Sequence, residues 1–141
     1  MTRALQFLFF VLVRIVVLFV LGLNVRRREL LPEDGPAILV ANHNSHLDTL
    51  VMMSLLPLSR LSSLRPVAAA DYFLKTRAMA WFSLNILRII PIDRSRATRR
   101  EDPLAACHEA LNKREILILF PEGSRGAPEE MTALKKGIAH L

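Results

Sequence analysis

The stretch "AILVANHNSHLDTLVMMSLL", residues 37–56, shows in miniature how the chain is organised. It opens with an apolar run, "AILVA", that predicts a buried strand, and it closes with "HLDTLVMMSLL", whose apolar spacing predicts a helix. The polar loop between them places His43, His46 and Asp48 within six positions. Functional residues of α/β proteins gather on loops at the strand ends, so this loop is the first candidate site.

The alternation of strand and helix continues along the chain. The apolar runs "RPVAAA", "RIIPI" and "EILILF" predict three further strands, and Pro91 within the second of these predicts a sheet edge or a strand end. The segments "YFLKTRAMAWFSLNIL" and "EDPLAACHEALNKR" predict helices, the second of which buries Cys107 as a small apolar residue. The pattern predicts an α/β fold with a mostly buried mixed sheet flanked by helices.

The N-terminal segment is almost continuously apolar. "ALQFLFFVLVRIVVLFVLGL", residues 4–23, is long enough to cross a bilayer core of roughly 30 Å. No small-residue cleavage pattern follows it, so it is interpreted as a membrane anchor rather than a signal peptide. We therefore divide the chain into an anchor helix, residues 1–25, and an α/β domain, residues 26–141.

Polar residues within and after this helix constrain its placement. On a helical projection they form one narrow stripe, made of Arg3, Gln6, Arg14 and Asn24. The stripe faces lipid headgroups or the protein body if the helix lies in one leaflet, whereas a spanning helix would need Arg14 to snorkel. The cluster at residues 26–28, three arginines, favours anionic lipid and the cytoplasmic side of the membrane.

Composition narrows the class of partner. The net charge of +6 suggests an anionic partner, while the 52% hydrophobic and 6% aromatic content favour a membrane over nucleic acid. The chain has one cysteine, so an intrachain disulfide is excluded. We expect an anionic membrane surface as a partner and no nucleic acid.

The loop after the first strand admits three interpretations. His43 and Asp48 have the spacing H-x4-D, and a tight turn would let the carboxylate orient the imidazole as a general base for a substrate hydroxyl. His43, His46 and Asp48 would instead supply three ligands to a catalytic metal. A solvated polar loop without chemistry is the third interpretation.

Two further strand ends carry polar strings. "LFPEGSRG", residues 119–126, offers glycines for close backbone approach and Arg125 for bidentate contact with a phosphate. It lacks the Gly-Lys-Ser/Thr ending of a Walker loop and the spacing of a G-x-S-x-G elbow. "IPIDRSR", residues 90–96, adds Arg94 as a second phosphate contact. Taken alone, each string also fits an ordinary turn or a solvated arginine.

In this order, "NHNSHLD", "IIPIDRS" and "FPEGSRG" resemble the first three signature blocks of the glycerolipid acyltransferases, the lysophosphatidate acyltransferase family. The resemblance runs from about residue 25 to the end of the chain. It implies that His43 is the general base and Asp48 its orienting partner, with no enzyme nucleophile. The acceptor hydroxyl would attack the thioester of acyl-CoA or acyl-carrier protein, which are co-substrates, and no metal or other cofactor is implied. The residues implied to bind the glycerol-phosphate end of the acceptor are Arg94, Glu122, Gly123, Ser124 and Arg125.

The resemblance also identifies a departure. The family's fourth block, an apolar strand with a proline after the third block, does not occur within the 141 residues, so residues 26–141 are expected to lack it. Two alternatives to acyl transfer stay open: a metal-dependent hydrolase that uses His43, His46 and Asp48, and an inactive membrane-associated fragment.

Overall fold

The computed structural model describes residues 1–45, 47–93, 102–122 and 141. Over these residues the strands are β1 (Ala37–Val40), β2 (Leu64–Ala69), β3 (Ile90–Ile92) and β4 (Ile116–Leu119). The α-helices are α1 (Thr2–Ile15), α2 (Asp48–Leu55), α3 (Ala70–Phe73), α4 (Arg77–Phe82) and α5 (Ala105–Asn112). π-helical turns at Val16–Val20 and Ser83–Leu87 extend α1 and α4, and short 3₁₀ helices lie at Arg28–Leu30 and Leu58–Ser63. The four predicted strands and the helices predicted after β1 and before β4 are confirmed, whereas the segment predicted as one helix over residues 72–87 contains two helices, α3 and α4, separated by a turn at residues 74–76.

The four described strands form one sheet in the order β1-β4-β2-β3. All three pairings are parallel, so the prediction of a mixed sheet is corrected to a parallel one over the described residues. The physical reason is that each connection between consecutive strands is long enough to return the chain to the same end of the sheet, as parallel pairing requires, and each contains at least one described helix. Pro91 lies in β3, which pairs only with β2 among the described strands, as expected for a proline at a sheet edge.

The sheet is covered on both faces. In the central strand β4, Ile116 and Ile118 join the cluster that includes α1 and α2, whereas Leu117 joins the cluster on the α5 side. All three side chains have no exposed surface. Cys107 lies in the second cluster and is fully buried, as predicted. Burial, with a further contribution from Asp102, raises the pKa of its thiol to about 11, so the thiol is inert at neutral pH.

The apolar N-terminal helix packs one face on the domain. The Gln6 side-chain amide donates to the Ile86 carbonyl oxygen at 2.9 Å, and Phe10 and Val17 are buried beneath the helix. At Gln6 the polar stripe therefore faces the protein body. The other face is apolar and exposed, and includes Leu8 and Phe19. The segment Thr2–Val20 is long and apolar enough to cross a membrane.

Charged residues also gather where the strands begin. Glu115, just before β4, lies 3.2 Å from Arg65 Nε and accepts a hydrogen bond from Arg88 Nη2 at 3.4 Å. A second amino group of Arg88 donates to the Ser62 carbonyl oxygen. We call Arg65, Arg88 and Glu115 the amino-edge cluster. Burial, and then the charge of Arg65, lower the pKa of Arg88.

Candidate active site

The first half of the site is a tight turn between β1 and α2. α2 begins at Asp48, and the carboxylate of this residue reaches back over the loop. Its Oδ2 accepts hydrogen bonds from the backbone N–H groups of Asn44 and Ser45, each at 2.7 Å. The same oxygen lies 3.2 Å from Nδ1 of His43. One carboxylate oxygen thus closes the loop and holds the imidazole.

The local sequence explains why the turn forms. A carboxylate in the first turn of a helix is stabilised by the positive end of the helix dipole. Ser45 supports the turn, because its Oγ accepts from the Leu47 N–H and its carbonyl oxygen accepts from the Asp48 N–H, both at 3.2 Å. Ser and Asp side chains commonly bond to nearby backbone in this way, so the H-x4-D spacing is itself a turn signal.

The hydrogen bond to Asp48 determines which nitrogen of His43 carries the lone pair. Because the carboxylate accepts, Nδ1 carries the proton in the neutral imidazole and Nε2 carries the lone pair. The side chains of His43 and Asp48 are 21% and 28% exposed, so a substrate hydroxyl can reach the ring while the pair is partly shielded from water. This arrangement suits a general base and its orienting carboxylate.

The second half of the site comes from the end of β4. Val40 and Leu119 are paired, and Ala41 N–H donates to the Leu119 carbonyl oxygen at 3.2 Å, so the two strands end side by side. Immediately beyond, Glu122 is 3% exposed, and its Oε1 accepts the backbone N–H of His43 at 3.2 Å. The first and third sequence strings therefore meet at one point, as expected for adjacent parallel strands.

Phe120 is a site residue that the sequence did not single out. Its ring stacks on the imidazole of His43 with 4.3 Å between the ring centroids and 26° between the planes. The only signal for it was its position at the end of a strand, directly before "PEG". Whether an aromatic residue there also meets the His43 ring depends on which strand lies next to β4.

Several predicted residues lie outside the described part of the chain: His46, Arg94, Gly123, Ser124 and Arg125. The acceptor-binding role of Arg94, Gly123, Ser124, Arg125 and Glu122 stays a prediction, and so does the metal-ligand role of His46. The end of β3, which precedes Arg94, is separated from the end of β1 by two strands. With the usual strand spacing the two ends lie about 14 Å apart along the same edge of the sheet.

The geometry of Asp48 bears on the metal interpretation. Its Oδ2 accepts from the backbone N–H groups of Asn44 and Ser45 and also faces Nδ1 of His43. This favours the interpretation as base and orienter, since a metal ligand needs its lone pair directed at the ion. Within the described ranges no three His, Cys, Asp or Glu side chains are placed to hold a metal. The metal interpretation also requires His46, which is not described, and it stays a hypothesis.

A parallel α/β sheet with a carboxylate-oriented imidazole at its carboxyl edge is an arrangement used by enzymes that act through a general base. The family model described as Acyltransferase matches residues 22–141, and the chain belongs to this family. It is 29% identical over 116 residues to the chloroplastic 1-acyl-sn-glycerol-3-phosphate acyltransferase of Arabidopsis thaliana. That alignment covers 82% of this chain and 31% of the plant protein. It is 29% identical over 131 residues to 1-acyl-sn-glycerol-3-phosphate acyltransferase alpha of Homo sapiens. That alignment covers 92% of this chain and 44% of the human protein.

The chain therefore spans less than half the length of these two relatives. No solved structure matches it.

Proposed function

We propose that this protein transfers a fatty acyl group from acyl-CoA or acyl-carrier protein to the free hydroxyl of a lysophosphatidate-like acceptor. The observation that carries the proposal is the bond between His43 Nδ1 and Asp48 Oδ2, which leaves Nε2 as the base. The relatives support the acceptor class, since both are named as 1-acyl-sn-glycerol-3-phosphate acyltransferases.

The reaction needs no covalent enzyme intermediate. Nε2 of His43 takes the proton of the acceptor hydroxyl as its oxygen attacks the thioester carbonyl carbon. Asp48 stabilises the imidazolium that forms. When the tetrahedral intermediate collapses, the C–S bond breaks, and the imidazolium returns its proton to the leaving thiolate. The products are the acyl ester and a free thiol.

Acceptor binding is proposed for the segments that follow β3 and β4. Arg94 and Arg125 would hold the acceptor phosphate, because a guanidinium binds phosphate through two parallel hydrogen bonds. Gly123 and Ser124 would approach the glycerol-phosphate backbone closely, with Glu122 beside them. Substitution of Arg125 by Lys is expected to raise KM for the acceptor more than it lowers kcat.

The exposed apolar face of α1 is proposed to bury itself in a membrane. Its inner face already packs on the domain through Phe10 and Gln6, so the helix would lie within one leaflet, with Arg26 and Arg27 at anionic headgroups. The domain would then lie on the cytoplasmic face.

Flotation with vesicles containing phosphatidylglycerol tests whether the exposed face of α1 binds the membrane. Leu8→Asp and Phe19→Asp should reduce vesicle binding without unfolding the domain. Unchanged binding would contradict this placement.

The proposed activity is tested with membranes that contain the protein, labelled acyl-CoA and lysophosphatidate. His43→Ala is expected to lower the rate of phosphatidate formation by about 10²- to 10⁴-fold, as loss of a general base does. His108→Ala is the matched control, because His108 lies in α5 with its side chain 44% exposed and pairs with Asp102 rather than with the site.

Three results would decide between the hypotheses. Full activity of His43→Ala in an active preparation would contradict the mechanism. Stoichiometric zinc or iron in the purified protein, with loss of hydrolysis on chelation, would favour the metal-dependent hydrolase. A stably folded protein with no turnover would favour the inactive fragment.

A further inference from the structure

We propose that Phe120 and Glu122 are positioning residues, which hold His43 in the orientation that its bond to Asp48 requires. The proposal rests on the function above, in which His43 is the base. It assigns to the end of β4 a task beyond acceptor binding: this segment fixes both the ring and the backbone of the catalytic histidine.

The bond to Asp48 does not fix the imidazole by itself. It restrains one edge of the ring, at Nδ1, and leaves the ring free to pivot about that contact. The 4.3 Å stack on Phe120 restrains the ring across its whole face. Because Phe120 directly follows β4 and precedes Pro121, its own backbone is held by the sheet on one side and by a restricted residue on the other. A rigid neighbour of this kind keeps Nε2 aimed in one direction.

Glu122 restrains the backbone from which the ring projects. Its Oε1 accepts the His43 N–H at 3.2 Å, across 79 positions of sequence. Hydrogen bonds from backbone N–H groups to carboxylates are stronger than neutral ones. Glu122 is 3% exposed, and one of its contacts is the histidine N–H. Through this contact the side chain restrains the backbone of His43.

The simpler explanation of Phe120 is that it fills space. Its ring also packs against the hydrophobic cluster that contains Phe10 and Met53, so its removal costs stability in either case. A test must therefore report on the His43 ring itself, and must compare Phe120 with another aromatic residue of that cluster. Phe82 is suitable, since its ring packs edge-on against Phe9 at 5.2 Å and belongs to α4.

The kinetic test compares Phe120→Leu, Phe120→Tyr and Phe82→Leu in the full chain. Aromatic stacking energies imply that Phe120→Leu lowers kcat about 3- to 10-fold, with KM for the acceptor unchanged. Phe120→Tyr retains the ring and should restore most of kcat, and Phe82→Leu should leave kcat unchanged. Glu122→Gln retains an oxygen that can accept the His43 N–H, so it should lower kcat less than Glu122→Ala does.

The spectroscopic test does not depend on turnover. Nitrogen NMR of the His43 ring, assigned with His43→Ala, should show one tautomer with Nδ1 protonated in the wild-type protein and in Phe82→Leu. In Phe120→Leu the two ring nitrogens should move toward averaged shifts as the ring pivots. If wild-type protein shows no acyl transfer, the proposed function fails, and these spectra still decide the positioning role. A single unchanged tautomer in Phe120→Leu would overturn the proposal, as would a loss of kcat equal to that of Phe82→Leu.

Discussion

The two edges of the parallel sheet both carry charged side chains, and they use them differently. At the amino edge, Glu115 lies between Arg65 and Arg88, and each charge has an internal partner. At the carboxyl edge, Asp48 satisfies two loop N–H groups and one nitrogen of His43. In the proposed function, the second nitrogen of that imidazole is left for a substrate. On that proposal, charges at the first edge stabilise the fold, whereas those at the second also prepare a reactive atom.

This comparison shows what distinguishes a site from a structural ion cluster. Both edges hold a carboxylate within contact distance of two or more nitrogen-bearing groups, so counting these contacts would not separate them. The difference is that the partner of Asp48 is an amphoteric ring, whereas the partners of Glu115 are guanidinium groups that do not give up protons at neutral pH. Variants at the two edges should therefore separate activity from stability.

The largest expected effect is that of Asp48→Asn. The new amide oxygen can still accept from the loop N–H groups, so the fold should persist, but the orienting charge on His43 is lost. We expect kcat to fall about 10²- to 10⁴-fold, measured by phosphatidate formation, with only a small change in the midpoint of thermal unfolding.

Asp102→Asn is the matched control for this variant. Asp102 lies 3.8 Å from His108, so the chain contains a second His–Asp pair, but the Asp102 side chain is 56% exposed and lies outside the site. This control should retain full kcat. Equal activity of the two variants would refute the orienting role of Asp48.

An intermediate effect, on stability alone, is expected from Glu115→Gln. Removal of the negative charge leaves Arg65 and Arg88 facing one another, half-buried, without their shared partner. The free energy of unfolding should fall by about 2 kcal/mol, less than for a fully buried pair because all three groups retain some exposure. Urea denaturation measures this change. A fall in kcat of the folded protein would contradict the inference that the charges at the amino edge act on stability alone.

The smallest effect is expected at Cys107, which lies in α5 and packs on one face of the sheet. Burial raises the pKa of its thiol to about 11, above that of the unfolded chain, so the folded state keeps its proton where the unfolded state loses it. This contribution to stability is therefore complete below about pH 8.5 and is lost as the pH rises toward 11. By pH 9.5 the loss amounts to about 1 kcal/mol.

Cys107→Ala should flatten this alkaline decline, as measured by thermal unfolding across pH 8 to 10.5. The comparison is of slopes with pH, because the lost side chain also lowers stability at every pH. Identical slopes for variant and wild type would show that the thiol does not titrate in this range.

The contact between His43 and Asp48 could be proposed from the sequence because it is local. His43 and Asp48 are five positions apart, and the turn between a strand and a helix leaves few ways to arrange them. The contacts of Phe120 and Glu122 could not be predicted in the same way. They depend on β4 lying next to β1, and strand order is not encoded in the period of any one segment.

The sequence by itself predicted the strands, most of the helices and the buried position of Cys107, and it offered the pairing of His43 with Asp48 as one of three interpretations of the loop. Each of these follows from apolar periodicity or from turn chemistry over a few residues. Only the tertiary structure decided that the sheet is parallel, that Gln6 turns toward Ile86, and that the end of β4 meets His43. These features arise when distant segments bury their apolar faces against one another, and that packing is a property of the whole chain.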